Sequence, residues 1–90
     1  MSREHLQQAS DLIREAAEAT THDDNRERLE KQAEQFAKHA EAKRGPDHGR
    51  LAKHERILTE VAEVEGGVVE SKIDDALVQV REYRSTVEGV

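Results

Sequence analysis

LEKQAEQFAKHAEAKRGPD, residues 29–47, decides the fold. Leu29, Ala33, Phe36, Ala37 and Ala40 recur at three- and four-residue spacing, which places them on one face of an α-helix. The residues that follow end that helix. Lys43 and Arg44 put positive charge at the negative helix end, Gly45 can adopt a left-handed C′ conformation, and Pro46 forbids continuation. Asp47 is placed to cap the next helix.

The same pattern, an apolar stripe and then a break, occurs on both sides of this stretch. Leu6, Ala9, Ile13, Ala16 and Ala17 precede it. Leu51, Leu58 and Val61 follow, with Ile57 and Val64, and then Val69, Ile73, Ala76, Leu77, Val80 and Val87. Thr20 to Asp24 interrupts the first pair of stripes, because Thr and Asp compete for backbone hydrogen bonds. Gly66-Gly67 interrupts the last pair. The spacing predicts helices over residues 3–19, 24–43, 48–65 and 69–87. Ser2 caps the first, and Asp24 with Glu27 forms a capping box for the second. The fourth has two candidate caps, Gly67 and Ser71, the latter within a capping-box match at Ser71-Lys72-Ile73-Asp74. The tail 88–90 frays.

Short connections make sequential helices antiparallel neighbours. The expected fold is all-α: a single domain over residues 1–90, an up-down-up-down four-helix bundle. The alternative is two helical hairpins completed by dimerisation. Fusing the last two helices across Gly66-Gly67 is disfavoured, since each interior Gly costs about 1 kcal/mol.

Ninety residues with eleven alanines, one Phe, one Tyr and no Trp supply a thin core. Such small domains are often completed by self-association. Acids outnumber Lys plus Arg by 20 to 14, giving a net charge of −6. That balance opposes binding to a phosphate backbone, so no nucleic-acid partner is expected. The dispersed acids, five lysines against nine arginines, and the absence of Cys fit adaptation to high salt, where self-repulsion is screened. The fold is then expected to weaken in dilute buffer. Without Cys there is no disulfide and no thiolate site. No apolar run approaches the roughly 18 residues of a membrane span, and there is no signal-peptide core. The expected location is the cytoplasm.

The segment Gly45-Pro46-Asp47-His48-Gly49-Arg50-Leu51-Ala52-Lys53-His54 resembles a stretch of a family of short, acidic, uncharacterised haloarchaeal proteins. The opening Ser2-Arg3-Glu4-His5-Leu6 and the close Tyr83-Arg84-Ser85-Thr86-Val87-Glu88-Gly89 are similar as well. The resemblance implies a haloarchaeal, cytoplasmic, all-helical protein of unknown function, and it carries no catalytic residues across.

Five histidines are the main chemical resource. His54 falls in the middle of its helix stripe, so its ring must find a hydrogen-bond partner from a neighbouring helix or face a cavity. Leu at this position is expected to stabilise the fold or leave it unchanged. Asp47 and His48 sit in the Gly-Pro turn, where capping is the first role of Asp47. A metal site would join Asp47 and His48 with His39. No Glu-x-x-His occurs, and His54-Glu55 lacks the second histidine of the zinc-protease motif, where Leu58 stands. None of Ser2, Ser10, Ser71 and Ser85 lies in a nucleophile elbow. Lys43, Arg44, Arg50 and Lys53 form a small basic enrichment, diluted by Glu41, Asp47 and Glu55. Tyr83 lies at a stripe edge, suited to a half-buried ring with its hydroxyl in water. Val78 lies opposite its stripe, and Leu12 and Ala19 broaden the first face.

No catalytic residue and no cofactor is therefore expected. The first expected function is a non-enzymatic helical protein-interaction module, self-associating as a dimer, with a further protein partner open. The second is a small-ligand or metal-binding domain using His54 or the Asp47-His48 turn. The metal candidates are His39, Asp47, His48 and His54. An apolar cavity at His54 would favour the second reading, and a tightly filled core would remove it.

Overall fold

The computed structural model describes residues 3–86, and the Ser2 cap, Val87 and the tail 88–90 lie outside them. Four helices follow in order, α1 (Arg3–Ala19), α2 (Asp23–Glu41), α3 (His48–Glu65) and α4 (Gly67–Thr86). Side-chain contacts fix their directions. Arg3, Ser10 and Arg26 bond to the backbone carbonyls of Ala42, Ala33 and Ala17, so α1 and α2 run antiparallel. His5 with Gln79 and Lys72 with Glu15 do the same for α1 and α4. Arg28 with Glu60 and His54 with Gln32 do so for α2 and α3. The fold is an all-α antiparallel bundle in which α1 packs closely against both α2 and α4, and α3 against α4. The α2–α3 pair touches at few points.

The core is one cluster. Leu6, Ile13, Leu29, Phe36, Leu51, Leu58, Val61, Ile73 and Val80 are fully buried, and Ala9, Ala16, Ala33 and Ala76 lie among them. Each buried Leu or Ile contributes roughly 1.5–3 kcal/mol, while the alanines act by letting helices approach to about 8 Å. At one such approach, buried Ser10 donates to the Ala33 carbonyl at 2.7 Å, which satisfies the one polar side chain on the buried α1 face.

Several local expectations change. The Asp24–Glu27 capping box does not form. The helix starts one residue earlier, after an extended His22 whose side chain makes no cap bond. Arg26 organises this turn instead. Its guanidinium donates to the Thr20 and Ala17 carbonyls and pairs with Asp23 at 2.7 Å, so it fills the carbonyl end of α1. The end of α2 follows the same logic. It stops at Glu41 with an extended Ala42, two residues before the expected end. The Arg3 guanidinium, rather than Lys43 or Arg44, takes the last carbonyls, those of His39, Ala42 and Lys43.

Gly45 is not left-handed, since Gly66 and Gly67 are the positive-φ residues among those described. Its role is steric. A Cβ at Gly45 would overlap the Tyr83 hydroxyl, which lies against the turn. Tyr83 is accordingly buried rather than half-exposed. At the last break, Gly66 has φ 63° and ends α3, and α4 begins at Gly67, with Glu70 N–H bonding the Gly66 carbonyl. Ser71 lies inside α4 and caps nothing. Asp47 caps α3 as expected, accepting from Arg50 N–H at 2.8 Å. Val64, counted in the α3 stripe, is 74% exposed, because the stripe has rotated off the core by the last turn.

Candidate functional site

Polar side chains gather where α2 and α3 stand apart. His54, on the second turn of α3, is buried beneath this seam. Its Nδ1 lies 2.6 Å from Gln32 Oε1, an acceptor, so Nδ1 carries the proton and donates. Its Nε2 is then free to accept from His39 Nε2–H, 3.3 Å away. Phe36 packs on the ring, with centroids 4.8 Å apart. Burial, then the charges of His39, Arg50 and Lys53, lower the His54 pKa from 6.5 to about 4. Burial and Arg50 also lower that of His39. Both imidazoles are neutral at pH 7.

Above them a cleft of about 350 Å³ opens between the helices, lined by Gln32, Gln35, Arg50, Lys53, His54 and Ile57. Its volume falls in the small-molecule range. The sequence expectation of a buried His54 bonded to a neighbouring helix is met, with an amide and an imidazole as partners. The cavity beside it is polar rather than apolar.

The metal candidates divide. His39 and His54 meet, whereas Asp47 is engaged as a helix cap and His48 is exposed at the first position of α3. No group of three His, Cys, Asp or Glu able to hold a metal exists among the described residues. Burial is the main reason both imidazoles resist a proton, and the Arg50 charge, which adds to it, also opposes a cation there.

A second polar cluster went unread in the sequence. Glu65 Oε2 accepts from Thr20 Oγ1 at 2.8 Å, His22 Nδ1 at 2.9 Å and Asn25 Nδ2 at 2.5 Å. The Asn25 bond is the main cause that lowers the Glu65 pKa, with Thr20 and His22 adding to it. The cluster ties the end of α3 to the α1–α2 turn. Its carboxylate oxygen is saturated by three donors, which suits a fastening rather than a binding site. The only local hint was Thr20-Thr21-His22-Asp23-Asp24 as a loop, and its partner lies more than 40 residues away.

Comparison with known families is decisive at one level. The family model of unknown function DUF7553 matches residues 1–86. The chain belongs to DUF7553. No curated protein and no solved structure matches it. DUF7553 membership therefore brings the chain a fold-length family and no transferable site, and the geometry above is the basis for reading a role. Among the described residues no helix is long and apolar enough to cross a membrane.

Proposed function

We propose that this DUF7553 chain is a non-enzymatic binding domain that takes a small ligand in the α2–α3 cleft. One observation carries the reading: a neutral, buried imidazole, fixed by Gln32 and His39, lies beneath an open cleft at the loosest seam of the bundle. Both ring nitrogens are satisfied, so the network fixes the imidazole in one orientation beneath the cleft.

The test is an NMR screen of the ¹⁵N-labelled chain against charged and uncharged fragments. Binders are expected to perturb Gln32, Gln35, His54 and Ile57. Binders that map elsewhere and spare these four would contradict the reading.

Self-association is a second reading. Val64 and Val68 flank the α3–α4 turn at 74% and 64% exposure, and Val78 on α4 is 48% exposed. The bundle buries its stripes within one chain, so a dimer would rest on these valines rather than on core completion. Sedimentation that stays monomeric over a wide concentration range would remove it. The setting we propose for either role is a high-salt cytoplasm. The acidic composition supports it, and a melting temperature indifferent to the change from dilute buffer to molar KCl would contradict it.

A further inference from the structure

Resting on the reading that the α2–α3 cleft is a ligand site, we infer that its occupant is a small oxyanion, a carboxylate or phosphate group held by Arg50 and Lys53 above the Gln32–His54 floor. The lining contains two cations and no acid. A larger depression of about 460 Å³ between α1 and α2 shows the contrast. There the acids outnumber the bases: Arg14 and Lys31 face four glutamates, Glu18, Glu27, Glu30 and Glu34. In a chain with 20 acids and 14 bases, an acid-free basic rim is against the trend.

The two cations are also uncommitted. Arg26, Arg28, Lys72 and Arg84 each pair with a carboxylate. Among the described residues, the Arg50 guanidinium and the Lys53 ammonium have no ion-pair or hydrogen-bond partner. Asp47, the acid nearest Arg50 in sequence, bonds the Arg50 backbone N–H, and Glu55, two residues from Lys53, pairs with Arg84; neither lines the cleft. Arg50 lies in the first turn of α3, where the helix dipole adds positive potential. A guanidinium fork matches two oxygens of a carboxylate or phosphate, and an ammonium adds a point charge. The Gln32 oxygen is occupied by His54, which leaves its NH₂ as a neutral donor, and Gln35 supplies another amide. The neutral His54 ring brings no charge that would repel the ligand, and Ile57 gives one apolar wall.

The experiment titrates the ¹⁵N-labelled chain with inorganic phosphate in one arm and succinate in another, at ionic strength held constant with KCl. Saturable shifts at Gln35, Arg50, Lys53 and His54 are expected, and the arm with the higher affinity names the source of the oxyanion. In the R50Q/K53Q double variant the affinity should fall about ten-fold or more, as loss of charge-assisted bonds implies. Arg81→Gln, exposed on α4, should leave it unchanged. All three positions are exposed, so circular dichroism of the variants should match the parent. Unsaturable shifts spread over basic residues generally, or equal affinity in the double variant, would overturn the inference. If neither anion shifts the cleft while uncharged fragments or Zn²⁺ do, the oxyanion assignment fails and the ligand-site reading survives. If no probe shifts these residues, both fail.

Discussion

Where α1 meets α2 and α4, buried Ala9, Ala16, Ala17, Ala33 and Ala76 let the backbones close up, and the one polar side chain on that face of α1, Ser10, is satisfied by a carbonyl. Where α2 meets α3, Gln32, Phe36, His39 and His54 fill the seam, and the helices touch at few points. The dry side holds the chain together by apolar burial. The wet side holds a hydrogen-bonded network beneath solvent. The difference separates what stabilises this bundle from what is available to bind.

The sharpest break of that comparison is a cavity on the dry side. Ile13→Ala on the dry side should cost about 2–5 kcal/mol in urea unfolding, the range for a large side chain truncated in a closed core. A loss near zero would mean the α1 face is not packed as described.

Acid should act first on the wet side. His54 has its pKa lowered to about 4, so the folded state resists a proton that the unfolded chain accepts at 6.5. Stability is therefore full above about pH 6.5 and declines as pH falls toward 4, by on the order of 3 kcal/mol at the limit. His54→Gln should reduce the slope of the unfolding free energy across that window, leaving the part that His39 contributes. Glu65 behaves differently. Its lowered pKa contributes stability that is full above the usual carboxylate value of 4.5 and lost only as pH falls further, through its folded value. The two clusters thus titrate in successive windows of one acid-denaturation curve.

Glu65→Leu should cost about 1–3 kcal/mol, since no acceptor then remains for Thr20, His22 and Asn25. Hydrogen exchange should rise at the α1–α2 turn and the end of α3 before it rises in the dry seam. The smallest effect belongs to His54→Leu, expected within about 1 kcal/mol of the parent. It gains apolar burial, the Gln32 amide it abandons lines the cleft, and His39 is only half-buried, so water can replace the ring. A loss of several kcal/mol would make the network a structural keystone and weaken its assignment as a site.

The stripes, the Gly66-Gly67 break and the Asp47 cap were legible because each is a local pattern: a helix face, a left-handed turn, a side chain reaching three residues along. The burial of His54 was legible for the same reason. What escaped was tertiary. Periodicity shows which face of a helix is apolar but not which neighbour meets it, so the open α2–α3 seam was invisible. Arg3 closing α2, Tyr83 lying on Gly45 and Glu65 collecting three donors all join residues about 40 apart in the chain. Local chemistry offered other candidates: Arg44 and a left-handed Gly45 were displaced by the distant Arg3 and Tyr83, and the Asp24 cap by Arg26 reaching back to the end of α1.

The most direct test is side-chain ¹⁵N NMR of the histidines between pH 7.5 and 3.5. The His54 ring is expected to keep its Nδ1 proton, stay neutral, and charge only near pH 4. A His54 that titrates near 6.5, or shows both tautomers in exchange, would mean that the ring is solvated, that the α2–α3 network is not formed, and that the cleft has no fixed floor.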